Sequence, residues 1–208
     1  MENTAFMFHE LLRRYPSLEE CKNDIHNAYA AMCVCFKNGG KVLCCGNGGS
    51  AADCDHFAGE LLKGFLKKRP LSNEEKQKFE NSFVANNLQK GLPVISLCAH
   101  SALMTAFEND AVPSLVFAQQ VYAYAKKEDV LFCLSTSGNS ENVVYAAQTA
   151  KAAGIVSVAI TGKSESRLSE ICDICIRLPE TETYKIQELT LPVYHCLAAM
   201  LEDYFFEI

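Results

Sequence analysis

With 208 residues, 49% of them hydrophobic and 21% charged, the chain has the size and balance of one globular domain, which fits neither a disordered nor a membrane-embedded protein. Its formal net charge of −6 argues against a non-specific nucleic-acid binder, whose surface is basic. No apolar run approaches about 18 residues, so no membrane span is expected.

The opening stretch, MENTAFMFHELLRRYPS, has no basic segment ahead of an apolar core, so no secretory signal is expected. The eleven cysteines are odd in number and sit in apolar runs such as LCC and LFC, the pattern of buried thiols in a reducing, cytoplasmic setting. Cys172 and Cys175 form a C-x-x-C, but no second such pair completes a metal site, and core packing is expected.

Residues 4–37 carry apolar positions at helical spacing (Phe8, Leu11 and Leu12, then Ile25, Ala28, Tyr29, Met32 and Cys33). Pro16 and Ser17 break the pattern, and Ser17 with Glu20 reads as a capping box at the start of a second helix. KVLCCGNGG, GLPVISLCAH, DVLFCLSTSGNS, IVSVAITGKS and ICDICIRLPE then each hold a short apolar run ending in small or polar residues, as strands buried on both faces do. Helical stretches alternate with them: SAADCDHFAGELLKGF, VPSLVFAQQVYAYA and SENVVYAAQTAKAAG, with Gly154 placed to cap the last. The alternation predicts a doubly wound α/β fold with a parallel sheet and an N-terminal helical extension over 1–37. Residues 66–91 form a charged excursion between the first two strands. The expectation there is a solvated loop with basic Lys67, Lys68 and Arg69 and a surface helix from Glu74 to Asn87, the alternative being a flap over the ligand whose basic residues attract an anionic substrate.

Ligands of such sheets bind beyond the carboxyl ends of the strands, where GNGGS and STSGNS fall. In the second turn, Ser135, Thr136, Ser137 and Ser140 bring hydroxyls to a helix start around Gly138, which makes an anion cradle without a lysine. Neither turn has the Walker or the dinucleotide spacing, so no nucleotide cofactor is expected.

LSTSGNSENV between a strand and a helix resembles the sugar-isomerase (SIS) domain, which binds phosphosugars. GNGGSAADCDHFAGEL, FENDAV and IQELTLPVYH narrow the resemblance to the phosphoheptose isomerase branch over nearly the whole chain. The resemblance implies a five-stranded parallel, flavodoxin-like sheet, a homotetramer with sites at subunit interfaces, and conversion of sedoheptulose 7-phosphate to a glycero-manno-heptose 7-phosphate. It also implies that Ser50, Ser135, Thr136, Ser137 and Ser140 hold the phosphate, with Asn47, Gly48 and Gly49 lining the first loop and Asn109 and Asp110 reaching sugar hydroxyls. His56, Glu60, Gln187 and His195 match the family's acid/base pair or zinc ligands, one zinc per site. Two features depart from the family pattern: the longer excursion at 66–91, and Tyr184 where some members carry an acidic group.

Aldose–ketose exchange moves one proton between adjacent carbons and another between their oxygens, so it needs a base and an acid, or a metal that polarises the carbonyl. His56 and Glu60 are four apart and share one helical face behind the glycine turn. We expect Glu60 to take the carbon-bound proton and His195 to act as the acid, although a metal-bound Glu60 is no longer a free base. Gln187 and His195 are eight apart, about 12 Å along a straight helix. Either Pro192 kinks the helix and brings them together, or they serve sites in different chains, and the second is our expectation. A non-catalytic phosphosugar-binding protein of the replication-initiator-associated type shares the fold, as do isomerases of other phosphosugars. The joint presence of His56, Glu60, Gln187 and His195 favours the enzyme.

Overall fold

The structure, a computed structural model, describes residues 2–206. Two helices lead the chain, α1 (Glu2–Arg14) and α2 (Lys22–Lys37), joined by a 3-10 turn over Pro16–Cys21. Ser17 and Glu20 lie inside that turn and form no capping box, contrary to expectation. Proline at its start favours the tight turn, and Glu20 instead meets Lys163 at 3.2 Å.

Five strands follow: β1 (Val42–Gly46), β2 (Val94–Ser96), β3 (Val130–Leu134), β4 (Val156–Thr161) and β5 (Ile174–Arg177). All pair in parallel in the order β2-β1-β3-β4-β5. The apolar runs are continuous because helices cover both faces, and β1 and β3 are buried at every position. The helices on the faces are α3 (Gly49–Leu62), α6 (Ser101–Asp110), α7 (Val116–Tyr124), α8 (Glu141–Ala153), α9 (Arg167–Ile171) and α10 (Thr183–Phe205). Gly154 ends α8 in the left-handed conformation at φ 69°. The cysteines are all free, and eight of the eleven are buried. Among the described residues no helix is long and apolar enough to cross a membrane.

The excursion at 66–91 contradicts two expectations. Its helical part is two short pieces, α4 (Asn73–Lys76) and α5 (Ser82–Asn87), because Asn81 caps a new start. Its basic cluster is only partly solvated, since the Arg69 side chain is 0% exposed. Arg69 donates from Nε to Glu202 at 2.8 Å and from its other nitrogens to the carbonyls of Leu61 (2.7 Å) and Glu60 (3.3 Å). Glu202 also accepts the backbone N–H groups of Phe65, Leu66 and Lys67 at 2.8, 2.7 and 3.0 Å. The guanidinium thus stops the end of α3, where orphan carbonyls favour a cation, and ties it to α10.

Contacts step along α3 and α10 together: Gly49 lies by Gln187, His56 by Tyr194 and His195, and Leu61 by Glu202 through Arg69. The two helices therefore run side by side in the same direction. Beside this joint, Asp203 receives Lys67, Asn3 and Thr4. Burial pushes the Asp203 carboxyl up, but these hydrogen bonds outweigh it and bring its pKa to about 2.

Truncating Glu202 to alanine leaves a buried guanidinium unpaired, and we expect a loss of about 3–5 kcal/mol in denaturant unfolding. The depressed Asp203 pKa gives stability that is present above the ordinary value of 3.8 and lost as pH falls towards about 2. Acid unfolding of Asp203→Asn, compared with the wild type, should lack that component.

Candidate active site

The order of the strands reverses direction at β1, with β2 on one side and β3 on the other, and the loops after β1 and β3 flank that switch point. Together they form a cavity of about 270 Å³, lined by Asn47–Ser50, by Ser135, Thr136 and Ser140, and by Thr183 and Gln187 from the start of α10. Ser135 donates to Ser140 at 3.2 Å, and Asn47 and Asn142 exchange amide hydrogen bonds at 2.9 Å in both directions, which clamps the two loops together.

Glycine is needed at two points. A Cβ at Gly49 would lie 2.6 Å from the Gln187 amide nitrogen, so the close seat of that amide depends on the missing side chain. Gly138 has φ 64°, and a Cβ there would meet Ser166 Oγ at 2.1 Å. Ser50 is buried, Thr136 and Ser140 are half-buried, and Ser137 is exposed, with its Oγ accepting Asn139 N–H at 3.1 Å.

One to three turns further along α3 lies a second cluster. His56 Nε2 faces Glu60 Oε1 at 3.1 Å, and Lys63 Nζ reaches Glu60 Oε2 at 3.2 Å. The His195 ring stands edge-on to that of His56, 4.9 Å between centroids, with Tyr194 and Phe65 around it. Burial first, and the nearby His56 second, hold the His195 imidazole below its ordinary range. Its Nε2 is buried without a hydrogen-bond partner. A buried polar atom left unpaired costs stability, and one on a ring packed against the His56–Glu60 pair suits a ligand or proton-transfer role.

Of the expected residues, the structure brings Asn47, Gly48, Gly49, Ser50, Ser135, Thr136, Ser140 and Gln187 to the cradle, and His56, Glu60 and His195 to the second cluster. Gln187 and His195 of one chain do not meet. Each follows the parallel α3 to a different level. Asn109 and Asp110 bond to each other at 2.8 Å on the exposed end of α6, and neither lines the cradle cavity. Tyr184 is exposed beside Lys185.

Two imidazoles and a carboxylate are a donor set that zinc accepts, and the unpartnered Nε2 of His195 fits a ligand. The donors do not converge, however. Among the described residues no group of three or more His, Cys, Asp and Glu is arranged to hold a metal ion.

Sequence reasoning missed Tyr194 and Asp53. The Tyr194 hydroxyl lies 2.9 Å from His56 Nδ1 and donates to Asp53 Oδ1 at 3.1 Å. Burial raises the pKa of both groups, while their hydrogen bond pulls Asp53 partly back. Asp53 is visible in the sequence three residues before His56, on the same helical face. Tyr194 gives no local signal.

The SIS domain family matches residues 8–162. Phosphoheptose isomerase of Rhodospirillum rubrum is 37% identical over 186 residues, covering 89% of this chain and 88% of the relative. That of Nitratiruptor sp. is 36% identical over 200 residues, covering 94% and 96%. The solved structure of phosphoheptose isomerase from Neisseria gonorrhoeae has a TM-score of 0.76 at 30% identity and covers 97% of this chain and 98% of that one.

Alanine at Gly138 should distort the second turn, lower thermal stability, and abolish the rise in Tm that inorganic phosphate produces in the wild type. Alanine at Gly59, where a Cβ meets nothing within 4 Å, should leave the phosphate response intact.

Proposed function

The chain belongs to the phosphoheptose isomerase family of SIS-domain proteins, and on that premise we propose that it interconverts sedoheptulose 7-phosphate and D-glycero-D-manno-heptose 7-phosphate through an enediol. One observation carries this reading: an anion cradle at the start of α3 and a carboxylate–imidazole cluster further along the same helix. Ser50 lies six residues before His56 and ten before Glu60, or about 9 and 15 Å along the axis. A heptose phosphate anchored at its far end would lay its carbonyl end along that face.

Ser50, Ser135, Thr136, Ser137 and Ser140, with the backbone at Gly48 and Gly49, would hold the phosphate, aided by the positive ends of α3 and α8. Asn47 and Gln187 border that cavity and would orient the sugar, while Asn109 and Asp110 would reach its hydroxyls. Glu60 would take the proton from C1 of the ketose and return it to C2. His195, neutral because of its burial, would exchange a proton with the carbonyl oxygen as the charge moves there.

Zinc belongs to the proposal as a cofactor that His56, Glu60 and His195 would hold once their side chains turned to a common point, with a Gln187 from another chain as a further donor. When bound it supplies a Lewis acid that polarises the carbonyl oxygen. The assembly would be a homotetramer with interfacial sites. In support, α1 and α10 bound an open apolar groove beside His195, where Phe6 is 66% and Leu191 40% exposed. The free thiols favour the cytoplasm.

The direct test assays the wild type and Glu60→Gln on sedoheptulose 7-phosphate, with and without chelator. Glu60→Gln should lose about 100-fold or more in kcat while still binding the phosphosugar. Chelation should lower wild-type turnover, and added zinc should restore it. Unchanged turnover in Glu60→Gln would remove the base role, and a wild type without product would overturn the substrate assignment.

A further inference from the structure

His56 is held on both of its ring nitrogens. Nε2 faces Glu60 Oε1 at 3.1 Å, and Nδ1 lies 2.9 Å from the Tyr194 hydroxyl. That hydroxyl in turn donates to Asp53 Oδ1 at 3.1 Å. Asp53, His56 and Glu60 are three and four residues apart on α3, so their side chains follow one another along one face. Tyr194 enters from α10 and is 0% exposed, its ring edge-on to Phe57 and to His56. Four groups from two helices thus form one unbroken line: Asp53, Tyr194, His56, Glu60.

The line has a direction because a phenol has a single proton. When that proton goes to the Asp53 carboxylate, the Tyr194 oxygen is left only to accept. The partner it faces must then donate, so the His56 ring carries a proton on Nδ1. Nε2 is left to share a proton with Glu60, or to offer its lone pair to the space beside it. Ring orientation follows from the same contacts, since rotating the ring away from Tyr194 would take a partner from the hydroxyl of a buried tyrosine. In metal and acid/base sites alike, the hydrogen bond on one imidazole nitrogen decides what the other can do.

We propose that Asp53 and Tyr194 are positioning residues for the isomerisation, which fix the orientation and the Nδ1–H tautomer of His56 so that Nε2 is presented to Glu60. Neither touches the substrate, and both act through His56. The inference rests on the reading that His56 and Glu60 lie at the reacting end of the sugar. The hydrogen-bonded line itself stands independently of that reading. An unprotonated Nε2 would receive a hydrogen bond from Glu60 once that carboxylate has taken the carbon-bound proton, or would bind a metal, in the same place.

Tyr194→Phe keeps the buried ring and removes only the hydroxyl, and Asp53→Asn keeps the shape and removes the charge. Both should fold as the wild type does by circular dichroism. Both should lower kcat on sedoheptulose 7-phosphate by about 10–100-fold, with KM little changed. The readout that packing alone would not move is the tautomer. In metal-free protein labelled with ¹⁵N-histidine, the His56 signals, assigned by their loss in His56→Gln, should show protonated Nδ1 in the wild type and lose that preference in Tyr194→Phe. An Nε2–H pattern in the wild type overturns the proposal, as does a ¹⁵N pattern unchanged in Tyr194→Phe, whatever happens to kcat. If the wild type itself fails to turn over the sugar, the functional reading falls, and the ¹⁵N comparison alone decides whether the positioning line exists.

Discussion

The arrangement of the site depends on one buried ion pair, Arg69 with Glu202. Both side chains are shielded from water, at 0% and 1% exposure, and the pair survives there because all three guanidinium nitrogens and both carboxylate oxygens have hydrogen-bond partners. Arg69 closes the carbonyls at the end of α3, and Glu202 gathers the backbone N–H groups of the segment that leaves it. This joint fixes one end of two parallel helices. At the other end the bare backbone of Gly49 lets the Gln187 amide settle against α3. With both ends fixed, the residues between them have little freedom: His56, Glu60, Tyr194 and His195 meet because α3 and α10 are held in register.

That register also explains how one short helix can serve two tasks. Its first turn joins the Ser135–Ser140 loop at the switch point of the sheet, where backbone N–H groups and hydroxyls suit an anion. Its later turns face α10, where aromatic rings and burial keep His195 neutral with a free Nε2. On the proposed function, a long substrate would be gripped by its phosphate at the first turn while its carbonyl end lies along the carboxylate and imidazoles of the later ones. Grip without chemistry would need only the loops. In the proposed function, the His56–Glu60–His195 cluster and the hydrogen-bonded line behind it would supply the proton transfers that the loops alone lack.

Local signals in the chain carried much of this. The strands were legible because strands covered on both faces must be apolar throughout, and Gly154 was legible because a left-handed cap favours glycine. The cradle showed itself in two small-residue turns at strand ends, and the His56–Glu60 face in its spacing of four. Partners far apart in sequence were not legible. Arg69 looked like one of three basic residues on a loop, and nothing nearby in the sequence announced Glu202, which lies 133 residues away. Tyr194 looked like one more apolar position of α10. Gln187 and His195, too far apart for one point, each neighbour a different level of α3, Gln187 at Gly49 and His195 at His56, which no local pattern announced.

The central claim is that grip and chemistry lie in sequence along α3. A crystal structure of Glu60→Gln with sedoheptulose 7-phosphate tests it most directly. The phosphate is expected between Ser50 and the Ser135–Ser140 turn, with C1 and C2 beside residue 60 within hydrogen-bonding reach. A sugar whose phosphate sits in the cradle while C1 and C2 point away from α3, or whose phosphate binds elsewhere, would contradict it.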